Sequence, residues 1–309
     1  MPHNPLDHPL FWTVSLRVGL LLLAGLVVVL LIERRNLGRL GESALFLRVR
    51  SWATIAPVFV LTLFAGGFFV FGLAAFIALQ ASAEYVRLTG VQRRYAQLFV
   101  FWALVGLLVA ALYRRYFLFL PLGFFMLLTL IPVLTGQVKG AHRQVTGTLF
   151  GYIYIGLPMA YFVFIKAAED WGLEFLLIVG VAIALSDVGA FTLGSLLKGP
   201  KLAPKVSPGK TWWGTAGNLI GAGGGVALLW PAVPDEWTLP AVAAMTVAVA
   251  VGAVWGDLTE SFVKRDFAVK DTGTLLPGFG GILDRVDSLL LALPLSYYVL
   301  LGVNNLTGG

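Results

Sequence analysis

"WATIAPVFVLTLFAGGFFVFGLAAFIALQASAEYV", residues 52–86, is apolar along most of its length. One membrane crossing takes roughly 17 to 25 residues, so the stretch is too long for a single helix. Gly66-Gly67 in its middle is a turn signal. The stretch therefore predicts two helices, 52–65 and 67–86. Outward from it, further apolar segments fall near 12–32, 95–112, 116–135, 145–166, 173–197, 212–230, 238–263 and 286–303. The expectation is an all-α fold, a polytopic transmembrane helical bundle of about ten membrane helices. Helices of an N-terminal group, 1–140, and a C-terminal group, 141–309, would form one integral membrane unit.

Composition agrees. The 309 residues are 58% hydrophobic and 12% charged, with a mean hydropathy of +0.86, whereas soluble domains carry about 25% charged residues. The apolar segments leave no room for a soluble module. The N-terminal "MPHNPLDHPLFW" lacks a basic region, and the run after it ends in "ERRNLGR" rather than a small-residue cleavage site. It reads as a retained first span. A formal charge of +6 does not point to nucleic acid, because Lys and Arg sit in short loops between spans, as expected for cytoplasmic loops.

With ten spans, Arg34, Arg35, Arg39, Arg48, Arg50, Arg87, Arg93, Arg94, Lys139, Arg143 and both later basic loops share one side. Both termini then face away from the cytoplasm. Arg114 and Arg115 break the pattern and are expected to snorkel to the headgroups. With no cysteine, disulfides, thiolate nucleophiles and Cys-ligated metals are excluded. Three histidines, of which only His142 lies outside the N-terminal tail, do not make a zinc site.

The informative polar residues are expected after position 185. Asp187, in "IALSDVGAFTLGSLL", is a carboxylate in an apolar helix and should face a cavity or a partner; insertion scales put its cost at about 2.5 to 3.5 kcal/mol. Gly189 and Gly194 suit close helix packing around it. A structural ion pair is the plain alternative. In "KGPKLAPKVSPGKTWWG", residues 198–214, four lysines in a Pro/Gly-rich loop offer ammonium and backbone N–H groups to phosphate oxygens. An ordinary positive loop would look similar. The "GKT" is not a P-loop, because Pro204 stands where the first glycine belongs and no strand is expected before it.

In "GDLTESFVKRD", residues 256–266, Asp257, Glu260, Ser261 and Lys264 share one helix face. Glu260 and Lys264 are expected as a plain i,i+4 salt bridge. Asp284 and Asp287 sit three apart at the start of the last helix. Carboxylates converging among lysines and arginines point to a bound divalent cation, and oxygen ligands suit Mg²⁺, which binds through one or two carboxylates plus substrate phosphates.

At these residues the chain resembles the phosphatidate cytidylyltransferases, or CDP-diacylglycerol synthases. That family's signature runs Ser, Lys-Arg, Lys-Asp, Pro-Gly-His-Gly-Gly, Asp-Arg and a second Asp. Here it is "SFVKRDFAVKDTGTLLPGFGGILDRVD", residues 261–287, with Phe279 in place of the His. The Lys-rich loop and "SDVGAF" also match, with Trp213 where Glu is expected. The resemblance covers roughly 185–290.

The resemblance implies that phosphatidic acid attacks the α-phosphorus of CTP, giving CDP-diacylglycerol and pyrophosphate. It implies Mg²⁺ on Asp257 and Asp284, with Asp187 and Asp287 supporting that centre. Lys205, Ser207, Lys210, Lys264, Arg265, Lys270 and Arg285 become phosphate contacts. Thr211, Ser261 and Asp271 complete the substrate-binding set. CTP, phosphatidic acid and membrane lipids are the expected partners, with a homodimer as a further expectation. The expected setting is a bacterial plasma (inner) membrane with the site loops in the cytoplasm. Two alternatives stay open: a non-catalytic or substrate-divergent relative, which Phe279 would suit, and a lipid or anion transporter, for which no internal repeat is visible.

Overall fold

The computed structural model describes residues 4–34, 41, 43–269, 272–273 and 280–308. Lys270, Asp271 and Phe279, and with them Arg35 and Arg39, lie outside the described residues.

The long apolar stretch does divide at its glycines. α2, Ala44–Ala65, ends at Gly66, whose φ of 103° only glycine adopts easily, and α3, Gly67–Thr89, begins at the next residue. α1, Pro9–Ile32, precedes them, and α4, Arg93–Leu112, follows. The 116–135 segment is less regular than expected. It opens as a 3-10 turn over Arg114–Phe119 and becomes α5, Leu120–Thr135, where Pro121 starts the helix.

α6, Ala141–Gly151, and α7, Leu157–Ala168, form one run through a π turn at Tyr152–Gly156. Pro158 explains the turn. It has no N–H for a bond four residues back, and its ring crowds that carbonyl, so the ladder widens to a bond from Leu157 N to Tyr152 O.

α8, Gly172–Leu197, and α9, Trp212–Leu228, flank the Lys-rich loop. That loop holds the strands the sequence did not suggest: β1, Lys201–Ala203, pairs antiparallel with β2, Ser207–Thr211. The Val206 N–H donates to Ala203 O and closes the turn between them. α10, Leu239–Asp266, and α11, Leu283–Thr307, complete the chain.

Among the described residues nine helical runs are long and apolar enough to cross a membrane. The tenth expected span, α9, has 17 residues, about 26 Å at 1.5 Å per residue. The protein is an all-α integral membrane protein, with one small strand pair among the described residues.

Two helix pairs position the polar residues, and glycine lets each approach closely. A methyl group on Gly189 of α8 would run into the Gly217 carbonyl of α9, and one on Gly217 would meet the Gly189 carbonyl. Gly194 packs against Gly214 in the same seam, so both glycines expected around Asp187 serve there. In the second pair, Gly252 of α10 lies against Ala292 of α11, and Gly256 against the Asp287 carbonyl. The Tyr154 hydroxyl donates to Gly256 O at 2.9 Å, which ties the π turn to the same place. Backbone contact at Gly256 thus sets Asp257 beside the first turn of α11.

Candidate active site

The last turns of α10 present Asp257, Glu260, Ser261 and Lys264 on one face, as their spacing demands. Ser261 Oγ donates to Asp257 Oδ1 at 3.3 Å, and Lys264 Nζ lies 2.5 Å from Glu260 Oε2. The expected i,i+4 pair exists, but it is not the whole interaction. The same ammonium lies 2.7 Å from Asp284 Oδ1 on α11, so Lys264 bridges two carboxylates on two helices. Glu260 is 2% exposed. Its Oε1 has no hydrogen-bond partner among the described residues.

Asp284 gathers the segment before α11. Its Oδ2 accepts from Thr272 N at 3.2 Å, Thr272 Oγ1 at 2.9 Å and Gly281 N at 2.7 Å. With Lys264 on Oδ1, these donors fill the roughly four acceptor positions of a carboxylate.

The hairpin supplies the second cation. Lys210 on β2 lies 2.5 Å from Asp257 Oδ2, and Arg265 Nε donates to Val206 O at 3.3 Å, holding the hairpin turn against the end of α10. Asp187 of α8 lies in the fields of Asp257, Lys210 and Arg285. Asp287, buried on α11, is influenced by Asp257 and Asp187, and its Oδ1 accepts from Ser288 N at 2.7 Å. Three helices and a hairpin therefore bring Asp187, Asp257, Asp287, Lys210 and Arg285 to one place.

The other expected residues divide. Thr211 is buried, and its hydroxyl accepts from Gly214 N at 3.0 Å as the N-cap of α9. Lys205 is exposed and Ser207 half-buried on the hairpin. Trp213, where an acid was expected, lies over Gly199, whose φ of 91° and lack of a side chain make room for the indole. Among the described residues no three His, Asp or Glu side chains form a protein-only metal cage. Asp257, half exposed, and Asp284 offer carboxylate oxygens, the donor type that suits Mg²⁺; a cation at Asp284 would take the place that Lys264 holds on Oδ1.

Sequence reasoning missed Glu84. This α3 side chain is 1% exposed, yet Oε1 accepts from Ile282 N at 3.0 Å and Oε2 from Leu283 N at 2.8 Å. The informative residues are therefore not confined to the region after 185. The available signal was a lone acid in an apolar helix, "FIALQASAEYV", the same signal that singled out Asp187.

The model of the cytidylyltransferase family matches residues 46–302. The chain is 34% identical over 236 residues to a Brucella suis protein named phosphatidate cytidylyltransferase, covering 75% of this chain and 83% of the relative. A Pseudomonas aeruginosa protein of the same name is 34% identical over 243 residues, with 75% and 87% covered. Escherichia coli K12 has a relative named "Uncharacterized protein YnbB", 30% identical over 287 residues, with 90% and 95% covered.

Proposed function

The chain belongs to the cytidylyltransferase family, and from that premise we propose that it is a phosphatidate cytidylyltransferase, making CDP-diacylglycerol and pyrophosphate from phosphatidic acid and CTP. The observation that carries this is the pairing of Lys210 with Asp257 and of Lys264 with Asp284 where α10, α11 and the hairpin meet. Both substrates are anions. Their approach calls for cations at the reacting phosphates and for in-line placement, rather than for a protein nucleophile.

In the reaction an oxygen of the phosphatidate phosphate bonds to the α-phosphorus of CTP. The bond from that phosphorus to the oxygen bridging the α- and β-phosphates breaks, and pyrophosphate leaves with the electron pair. Lys210 and Lys264 stand on carboxylates at the site and are placed to turn to phosphate oxygens. Arg265 on α10 and Lys205 on the hairpin add basic groups beside these, Ser207 adds a hydroxyl, and Lys270 is assigned to the phosphates as well. Asp257 and Asp284 would hold Mg²⁺, which supplies charge neutralisation on the transferring phosphoryl group. Asp187 and Asp287 would support that centre from α8 and α11. Arg285 serves the phosphates from the first turn of α11.

The membrane we assign is a bacterial inner membrane, with the hairpin and the ends of α10 and α11 in the cytoplasm, supported by the Lys/Arg asymmetry. A cysteine at exposed Lys201 is expected to react with a membrane-impermeant maleimide in inside-out vesicles only. Reaction in right-side-out vesicles would invert the topology.

The function itself is tested by pyrophosphate release from purified protein. Release is expected only when phosphatidic acid, CTP and Mg²⁺ are all present, with Phe279 as it stands. Phe279→His is expected to change the rate by no more than about 10²-fold, the low end for one general acid–base group. An inert wild type with an active Phe279→His protein would make this chain a non-catalytic relative.

A further inference from the structure

Glu84 has no role in the chemistry above, although it is the most deeply buried acid among the described residues. Its partners are the backbone. The first N–H groups of a helix have no acceptors within it, and the N-cap of α11 is Ile282, a residue whose side chain cannot cap. Glu84 reaches over from α3 and supplies acceptors for two of them, one oxygen to Ile282 N and one to Leu283 N. The positive end of α11 favours an anion there.

Two glycines near the start of α11 also lie close against this carboxylate. A methyl group on Gly273 would lie 2.7 Å from Glu84 Oε1 and 2.9 Å from its Cδ. One on Gly281 would collide with Oε2. Yet Gly281 N and its neighbour Thr272 are the groups that hold Asp284 Oδ2. Gly281 and the Thr272–Gly273 pair thus lie between two carboxylates, Glu84 from α3 on one side and Asp284 of α11 on the other.

We propose that Glu84 is a positioning residue of the transferase reaction, fixing the start of α11 so that Asp284 meets Lys264 and the substrate phosphates in register. The proposal rests on the function assigned above. Glu84 does not touch substrate. It acts through the N–H groups of 282 and 283, and its loss shifts Asp284 without removing it.

The test uses the full-length protein in detergent or vesicles. Glu84→Gln keeps size and shape but turns an amide NH₂ toward one of the two N–H donors. Hydrogen exchange at Ile282 and Leu283 is expected to quicken about 10-fold or more, following the loss of local protection. Turnover should fall about 10- to 100-fold, the scale of an ångström-sized misplacement, while the KM for phosphatidic acid stays within about twofold. Unchanged exchange at 282–283, or a kcat within about twofold of wild type, overturns the proposal.

A double-mutant cycle gives an independent arm. Gly273→Ala presses on Glu84 and is expected to lower kcat about 10-fold alone, yet to add nothing in a Glu84→Ala background, because coupled neighbours are non-additive. Additive losses overturn the proposal. If the Glu84 variants do not accumulate as folded protein, Gly273→Ala decides through exchange at 282–283 and kcat, and no change in either counts against it. Should the wild type itself lack cytidylyl transfer, the assigned function falls, and the exchange measurement still decides whether Glu84 holds the start of α11.

Discussion

Asp257→Asn and Asp284→Asn are each expected to lower cytidylyl transfer by about 10³-fold or more, the scale of removing a group that stabilises charge at the reacting centre. Asn keeps the volume of Asp but not its charge, so each substitution takes away one of the two carboxylates assigned to the cation. Because both act on one centre, the double variant should be little slower than either single one. Their effects on stability should differ. Asp257 is half exposed and pairs with one lysine, so its Asn variant should melt close to wild type. Asp284 holds Lys264, Thr272 and Gly281, and an Asn amide must turn a donor toward donors on one side. Asp284→Asn should therefore melt measurably lower as well as lose activity. Near-normal turnover in a folded Asp257→Asn protein would remove the cation assignment.

Lys264→Met should be the most damaging single change to the fold within the site. Methionine has similar length but leaves Glu260 and Asp284 facing each other without the ammonium that joins them. Breaking a buried pair by removing one partner costs about 3 to 5 kcal/mol. The result should be a large drop in the melting midpoint in detergent, together with loss of turnover. Glu260→Gln in the same chain removes one orphaned charge and should recover part of the stability but none of the activity, since the phosphate contact stays missing. Lys264→Arg is not expected to rescue, because a planar guanidinium cannot take the place of a compact ammonium between two carboxylates. Equal stability of Lys264→Met and wild type would mean that the bridge between α10 and α11 contributes nothing.

What the sequence made legible was local. Gly66-Gly67 announces the break between α2 and α3 because only backbone rules are involved. The 257, 260, 261 and 264 spacing announces a shared helix face for the same reason, and the i,i+4 bridge is found where it was expected. Gly189 and Gly194 were legible as packing residues, though not which helix they would meet. Distant partners were not legible. Nothing near Lys264 in the chain says that its second carboxylate is Asp284, twenty residues on, and nothing near Glu84 points to amides at 282 and 283. The hairpin at 201–211 was hidden because Pro204, Pro208 and Gly209 read as loop residues, while its pairing depends on only two registered positions. Thr211 entered the substrate-binding set only through the resemblance. It is also a good N-cap residue just before a helix, and that is the duty seen for its side chain.

The most direct test follows the α-phosphorus of CTP. Purified protein is given phosphatidic acid, Mg²⁺ and CTP labelled at that atom, and the lipid is extracted. The account predicts that label enters the lipid as CDP-diacylglycerol in step with pyrophosphate release, and that Asp257→Asn abolishes both. Label that stays wholly in the aqueous phase, with folded wild-type protein and all three components present, would contradict it.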